Sequence, residues 1–316
     1  MTGKRLLIHS FFLFLLPLVV AWFGISVPGA LGLVLLALLW RWMISLSSLM
    51  APARGPELEL ETISASHFVE KVRWCMDRLG IDYSEKPVAG TLGAFFLGRT
   101  VPVLKFRTGA TRSSIGNSPE ILRYLWGRYS SGNPERARFL VPAPDRLEFE
   151  EQIDRCGVAL QVWVYFHILD ERELTLHAWG ANSPDIPGWQ RMSLKLLYPL
   201  SRALIRKSFR ITNSHHQKSV SRISELLSEV ETRLSDGRRS ILGGDDLNYT
   251  DFAFAAIMGL WLQPEGYGGG KAAAVRIDRD VCPVGMVGEI EHWSRTYPLA
   301  TAFIEKLYRD ERKTTI

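Results

Sequence analysis

Ser66 stands where a strand gives way to a helix, and that position sets what its hydroxyl can do. Backbone N–H groups at a helix start have no intrahelical partner and the dipole there is positive, so an anion is favoured. The hydroxyl can cap the helix, or it can donate a hydrogen bond to an incoming thiolate, which favours the charged sulfur and lowers its pKa. Ser64, at the end of the strand, is an alternative donor. Two further stretches carry chemistry at an element start. Pro102, near the beginning of the apolar segment TVPVLKF, cannot donate a ladder hydrogen bond and belongs at an edge or in a special turn. A cis bond after Val101 would leave the Val101 backbone free to pair with another extended chain. Ser118-Pro119-Glu120 opens a helix with a serine cap, a proline at its first position and an acid in its first turn.

The elements that must position these residues follow from periodicity. From 57 to 63, Leu58, Leu60 and Thr62 alternate with Glu59 and Glu61, the pattern of a strand with one buried face. Across 66–80, Val69, Val72, Met76 and Leu79 form one helical stripe, Glu70, Arg73 and Asp77 point elsewhere, and Gly80 ends the helix. Residues 81–88 read as a second strand and 91–99 as an irregular, partly helical connection. TVPVLKF reads as a third strand, and a turn at Thr108 and Gly109 leads into a fourth ending at Ile115. Ile121, Leu122 and Leu125 give the next helix its apolar face. The order is that of a thioredoxin-like α/β domain.

Beyond the linker GNPERARFLVPAP only helical patterns occur. Asp145 is expected to cap a long helix reaching about His177. Residues 194–211 are apolar on one side and basic on the other through Arg202, Arg206, Lys207 and Arg210, a pattern that suits either a packed helix or an anionic membrane surface. Another helix covers 214–234. Asn248 and Asp251 form a capping box at the head of an apolar helix, 252–262. QPEGYGGGK lacks the GK[ST] ending and preceding strand of a phosphate loop and reads as a flexible connection. Two short helices, 285–295 and 299–309, follow.

A chain of 316 residues suffices for two domains, and 38 Lys plus Arg against 33 Asp plus Glu is too slight and scattered an excess for nucleic acid. It suits a protein near anionic lipid. Cys75, Cys156 and Cys282 are far apart, with no disulfide framework or zinc cage signalled, and a reducing compartment is expected. Adjacent His215 and His216 point to different sides of any helix and no HExxH occurs, so no metal site is expected. Residues 6–25 and 31–50 are two apolar runs, each long enough to span a bilayer, with Pro28 and Gly29 between them. Trp22, Trp40 and Trp42 lie near their ends. Lys4, Arg5, Arg41 and Arg54 flank the pair while GISVPGA is uncharged, which puts both ends of the hairpin, and the main domain, in the cytoplasm. The expectation is an integral membrane protein of the bacterial inner-membrane kind.

With SHFVEKVRW, VPVL and NSPEILRYL in place, the stretch from Leu58 to about Tyr129 resembles the N-terminal domain of the glutathione transferase superfamily. The resemblance implies domains at 57–130 (thioredoxin-like, glutathione-binding) and 144–316 (all-helical), preceded by a membrane hairpin and linker over 1–56. It implies that Ser66 activates the glutathione thiol, as in the serine class, and that Pro102 is cis, so that Val101 pairs with the cysteinyl backbone. It implies that Ser118 holds the γ-glutamyl carboxylate; Asn117 replaces the usual acid, and His67, by itself a half-exposed turn residue, stands where many members have proline. Trp163, Tyr165 and Phe166 become candidates for the electrophile pocket. Serine at 66 cannot form a mixed disulfide, so the implied reaction is addition of the glutathione thiolate to a hydrophobic electrophile, or reduction of a peroxide. A homodimer is the family habit, and a non-catalytic scaffold of the same fold at the membrane is the alternative.

Overall fold

A computed structural model describes residues 26–49, 57–89, 101–108 and 111–312, together with residue 19. The remainder of the first apolar run, the linker at 51–56, the connection at 91–99 and Gly109 lie outside the described residues. The chain forms two compact units, residues 1–58 with 105–113, and residues 59–104 with 114–316.

In the first unit, helix α1 covers Val27–Leu49. Pro28 and Gly29, expected as a turn, instead fall in its first turn, where the missing proline N–H costs no intrahelical bond. Val27, Leu31, Leu35, Leu36, Trp40 and Trp42 are exposed on it. Among the described residues, no helix is long and apolar enough to cross a membrane.

The sheet begins with β1 (Glu57–Thr62), in which Leu58, Leu60 and Thr62 are buried and their neighbours are not, as the alternation requires. Helix α2 (His67–Leu79) leads to β2 (Ser84–Pro87), which pairs parallel with β1 from Glu59 opposite Ser84 to Thr62 opposite Pro87. Strands β3 (Val103–Thr108) and β4 (Thr111–Gly116) complete a four-stranded sheet in the order β2-β1-β3-β4, and helix α3 (Ser118–Tyr129) follows. This arrangement, with only helices after it among the described residues, fits a thioredoxin-like domain followed by a helical one.

Local signals explain the ends of α2. Ser66 is its N-cap, and Gly80 ends it in the left-handed conformation at φ 60°, with its own N–H on Asp77 O and that of Ile81 on Met76 O. The predicted stripe of Val69, Val72, Met76 and Leu79 is buried, but Glu70, Lys71 and Arg73 are buried as well. Their partners come from the helix itself and from other segments: Arg73 meets Glu70, one turn away, at 3.1 Å and Glu85 at 2.8 Å, Arg312 meets Glu70 at 2.7 Å and Asp77 at 2.8 Å, and Lys71 lies 2.8 Å from both Glu150 and Asp154. Ions taken from water are tolerated only when paired in this way.

The helical part comprises α4 (Pro134–Ala137), α5 (Pro144–Ile168), α6 (Arg172–Ala178), α7 (Gly188–Ser208), α8 (Asn213–Leu234), α9 (Tyr249–Leu262), α10 (Val284–Thr296) and α11 (Pro298–Asp310). Two expectations are corrected here. Ala143, not Asp145, is the cap residue of α5, with Pro144 at its first position. The long helix also stops at Ile168, where the Thr175 hydroxyl of α6 and the Glu171 N–H both turn back to the Ile168 carbonyl.

Helix α9 is buried on almost every side, as a helix apolar all round must be. Its capping box is present, and Asp251 also accepts bonds of 2.8 Å from Ser240 Oγ and Ile241 N, so one buried carboxylate ties the preceding loop to the helix start. The segment read as a flexible connection is a packed turn. Tyr267, Gly268 and Gly269 are buried, and a Cβ on Gly269, at φ 61°, would fall 2.4 Å from Arg312 Nη2. Glycine is required there because a cation packs against the backbone.

Candidate functional site

All five candidate site residues belong to the second unit and flank neighbouring strands of the sheet. Ser66 follows β1, Val101 and Pro102 precede β3, and Asn117 and Ser118 follow β4. The Val101–Pro102 bond is cis, as the motif implied; Pro102 is buried and Val101 half-buried.

Ser66 is half-buried, and its hydroxyl oxygen accepts from Val69 N at 3.4 Å, a long cap bond. A hydroxyl that accepts through a lone pair keeps its proton for donation, which is the capacity a thiolate would use. Ser64 is buried to 9% exposure and is the less accessible donor. Neither cysteine nearest these elements in sequence competes as a nucleophile, since burial pushes the Cys75 thiol up to about 12 and raises that of Cys156 also.

His67, expected to be half-exposed, is 2% exposed, and its Nε2 lies 3.0 Å from the Gly157 carbonyl on α5. Gly157 permits that approach, because a Cβ there would meet Phe68 Cζ at 2.7 Å and His67 Nε2 at 3.2 Å. Burial lowers the imidazole to about 4, against a smaller upward effect of the carbonyl. A neutral ring that donates to a main-chain oxygen is part of the packing, not a base.

The start of α3 differs from the sequence expectation. The N-cap is Asn117, at φ 73° and ψ 130° with no side-chain cap bond, and Ser118 is the first helical residue, followed by Pro119. Ser118 is 1% exposed, and its hydroxyl has no hydrogen-bond partner among the described residues. A buried hydroxyl without a partner is costly and rare, and here it coincides with unpaired N–H groups and the positive end of a helix. The arrangement can receive a carboxylate.

Of the aromatic candidates on α5, Trp163 is wholly buried, with its indole donating to Glu289 at 2.5 Å, and Phe166 stacks on His216 with ring centroids 3.9 Å apart. Tyr165 packs against a core cluster containing Trp179 and Tyr198. Sequence reasoning missed the convergence of His167 on α5, His216 on α8 and Glu289 on α10, whose ligand-capable atoms lie within 4.8 Å of one another. Adjacent-histidine and HExxH spacing could not reveal it, because each residue comes from a different helix.

No family model matches the chain, and no curated protein does. Solved structures are similar to it. A glutathione S-transferase from Methylobacterium radiotolerans in complex with glutathione sulfonate is 16% identical, covering 82% of this chain and 96% of that one, with a TM-score of 0.46. One from Methylobacillus flagellatus with glutathione bound is 15% identical over 81% of this chain and 100% of that one, also at 0.46. A maleylacetoacetate isomerase from Anaeromyxobacter dehalogenans, with glutathione in its active site, is 17% identical over 82% and 99%, at 0.41. Identities and TM-scores this low leave the chemistry to be argued from this chain's own side chains.

Proposed function

We propose that this chain is a glutathione transferase built from a membrane segment (1–56), a glutathione-binding domain (57–130) and a helical domain (144–316). The observation that carries the reading is the buried, unpartnered Ser118 hydroxyl at the start of α3. A carboxylate placed there accepts from helix N–H groups and from a hydroxyl with no other partner among the described residues, which suits the γ-glutamyl end of glutathione. Val101 offers its backbone to the cysteinyl residue, and Ser66 donates to the sulfur. Lowering a thiol pKa by one unit requires a preference of about 1.4 kcal/mol for the charged form, within reach of one hydrogen bond to a charged group. The thiolate then adds to an electrophile, forming a carbon–sulfur bond, or reduces a peroxide.

The site is tested by calorimetric titration of glutathione into the detergent-solubilised chain and its Ser118→Ala variant. Binding that weakens at least about tenfold in the variant supports the reading. No binding to the parent chain at millimolar glutathione, or equal binding to both, overturns it. A scaffold of the same fold, which the acid-to-asparagine change at Asn117 favours, is separated by Ser66→Ala: turnover falls in an enzyme, and a scaffold has none to lose.

A bilayer-associated placement with the soluble part facing the cytoplasm belongs to the same proposal. Besides the exposed apolar residues of α1, helix α7 leaves Trp189, Met192, Leu196 and Leu200 exposed at helical spacing while burying Leu194, Tyr198 and Ile205. Its cations are less free than the sequence implied, since Arg202 and Arg206 both bind Asp170. The apolar stripe therefore supports lipid contact better than the basic one does. Protease protection in sealed membrane vesicles of known orientation tests it; cleavage of the soluble part only from the non-cytoplasmic side sinks it.

A further inference from the structure

We infer that His167, His216 and Glu289 form a binding site for one divalent transition metal of the zinc class. His167 Nε2 lies 3.1 Å and His216 Nε2 3.3 Å from the same oxygen, Glu289 Oε2. Four-coordinate zinc, with bonds of about 2.0–2.1 Å, separates its ligand atoms by about 3.3 Å. Two of the three edges of the ligand triangle therefore have the required length, and the third, between the imidazoles, lies within 4.8 Å.

A bonding imbalance at Glu289 is the second observation. Oε2 also accepts from Trp163 Nε1 at 2.5 Å, so three nitrogens face one carboxylate oxygen that has two lone pairs. A cation removes the conflict. The neutral imidazoles turn Nε2 lone pairs toward the metal and carry their protons on Nδ1, Glu289 supplies a carboxylate oxygen, and the Trp163 indole holds that carboxylate in place.

The surroundings favour such a centre. The His167 and His216 side chains are 8% and 10% exposed and Glu289 29%, so the ligands are largely shielded while one side stays open to solvent. Phe166 fixes the His216 ring by stacking. Two imidazoles and one carboxylate suit zinc and its neighbours better than magnesium or calcium, which take oxygen ligands. Three protein ligands leave a fourth position for water, and a bound ion would join α5, α8 and α10.

The test uses the full chain, free of any affinity tag, stripped with a chelator and titrated with Co²⁺ and then Zn²⁺. The expected result is one equivalent of Co²⁺ giving intense visible absorption of low coordination number, displaced by Zn²⁺. Binding weakens at least about tenfold in His167→Ala and His216→Ala and stays unchanged in His215→Ala. Should the histidine variants fail to fold, Glu289→Gln decides: Zn²⁺ raises the melting temperature of the parent chain and not of this variant. Absence of stoichiometric binding, or binding indifferent to His167, His216 and Glu289, overturns the inference.

Discussion

At the start of α2, Ser66 accepts from Val69 N and the next residue, His67, bonds the Gly157 carbonyl; at the start of α3, Asn117 makes no side-chain cap bond and Ser118 has no partner among the described residues. Both helices follow a strand of the same sheet, and both bury the side chain of their first helical residue. The difference is one of completion. The first helix start is closed by the protein's own groups, leaving only a hydroxyl proton to offer. The second is left open, and an unpaired donor beside a helix N-terminus is what a ligand's carboxylate can use.

The largest test of this contrast lies at His67. Its folded pKa, about 4, is below the ordinary 6.5, so as pH falls the unfolded chain takes up the proton first. The stabilisation is complete above about pH 6.5 and lost on descent to about pH 4, to the extent of roughly 3 kcal/mol. His67→Gln should remove that part of the pH dependence in urea unfolding at pH 7 and pH 4.5. An unchanged acid limb would mean that the first helix start is not closed by a neutral imidazole.

Next in size is Ser118→Ala, which should weaken glutathione binding about 10- to 100-fold, the worth of a hydrogen bond to a charged group. Thermal stability should stay level or rise, because the alanine buries no unpaired hydroxyl. A loss of stability instead would show that the second start is closed in the free protein, and the contrast would fail. Ser66→Ala should behave oppositely, losing about 1 kcal/mol of stability with its cap. It should also move the acid limb of the pH–kcat profile up by about one unit. The smallest effect is expected for Asn117→Gly. Relief of the φ 73° conformation, less the extra chain entropy of glycine, should raise stability by roughly 0.5 kcal/mol in thermal melts.

The chain's local grammar was readable from its residues. Alternation in β1, the serine and glycine bounding α2, and the Asn248–Asp251 box each depend on neighbours a few positions apart. What depended on distant partners was not. Glu70 and Arg73 look like a solvated face until Glu85 and Arg312 arrive, and His67 looks like a turn residue until Gly157 covers it. The glycines after Tyr267 look flexible until Arg312 packs on them. At the candidate site the cap position of Ser66 and the cis bond between Val101 and Pro102 were legible. Which serine would lack a partner was not, because Ser118 lies one residue inside the helix, and that register is settled by the backbone at Asn117.

The pairing of Glu70 with Arg312 also sets a clock. Arg312 leaves the ribosome 242 residues after Glu70, an interval of roughly 12–50 s at about 5–20 residues per second. Throughout it, the Glu70 carboxylate has Arg73, one turn along, as its ion-pair partner but not yet Arg312. Helix α2 is made well before the arginine that completes its ion pairs, so limited proteolysis of arrested nascent chains should find it open until Arg312 emerges. A helper that shields α2 during synthesis would have tens of seconds in which to act.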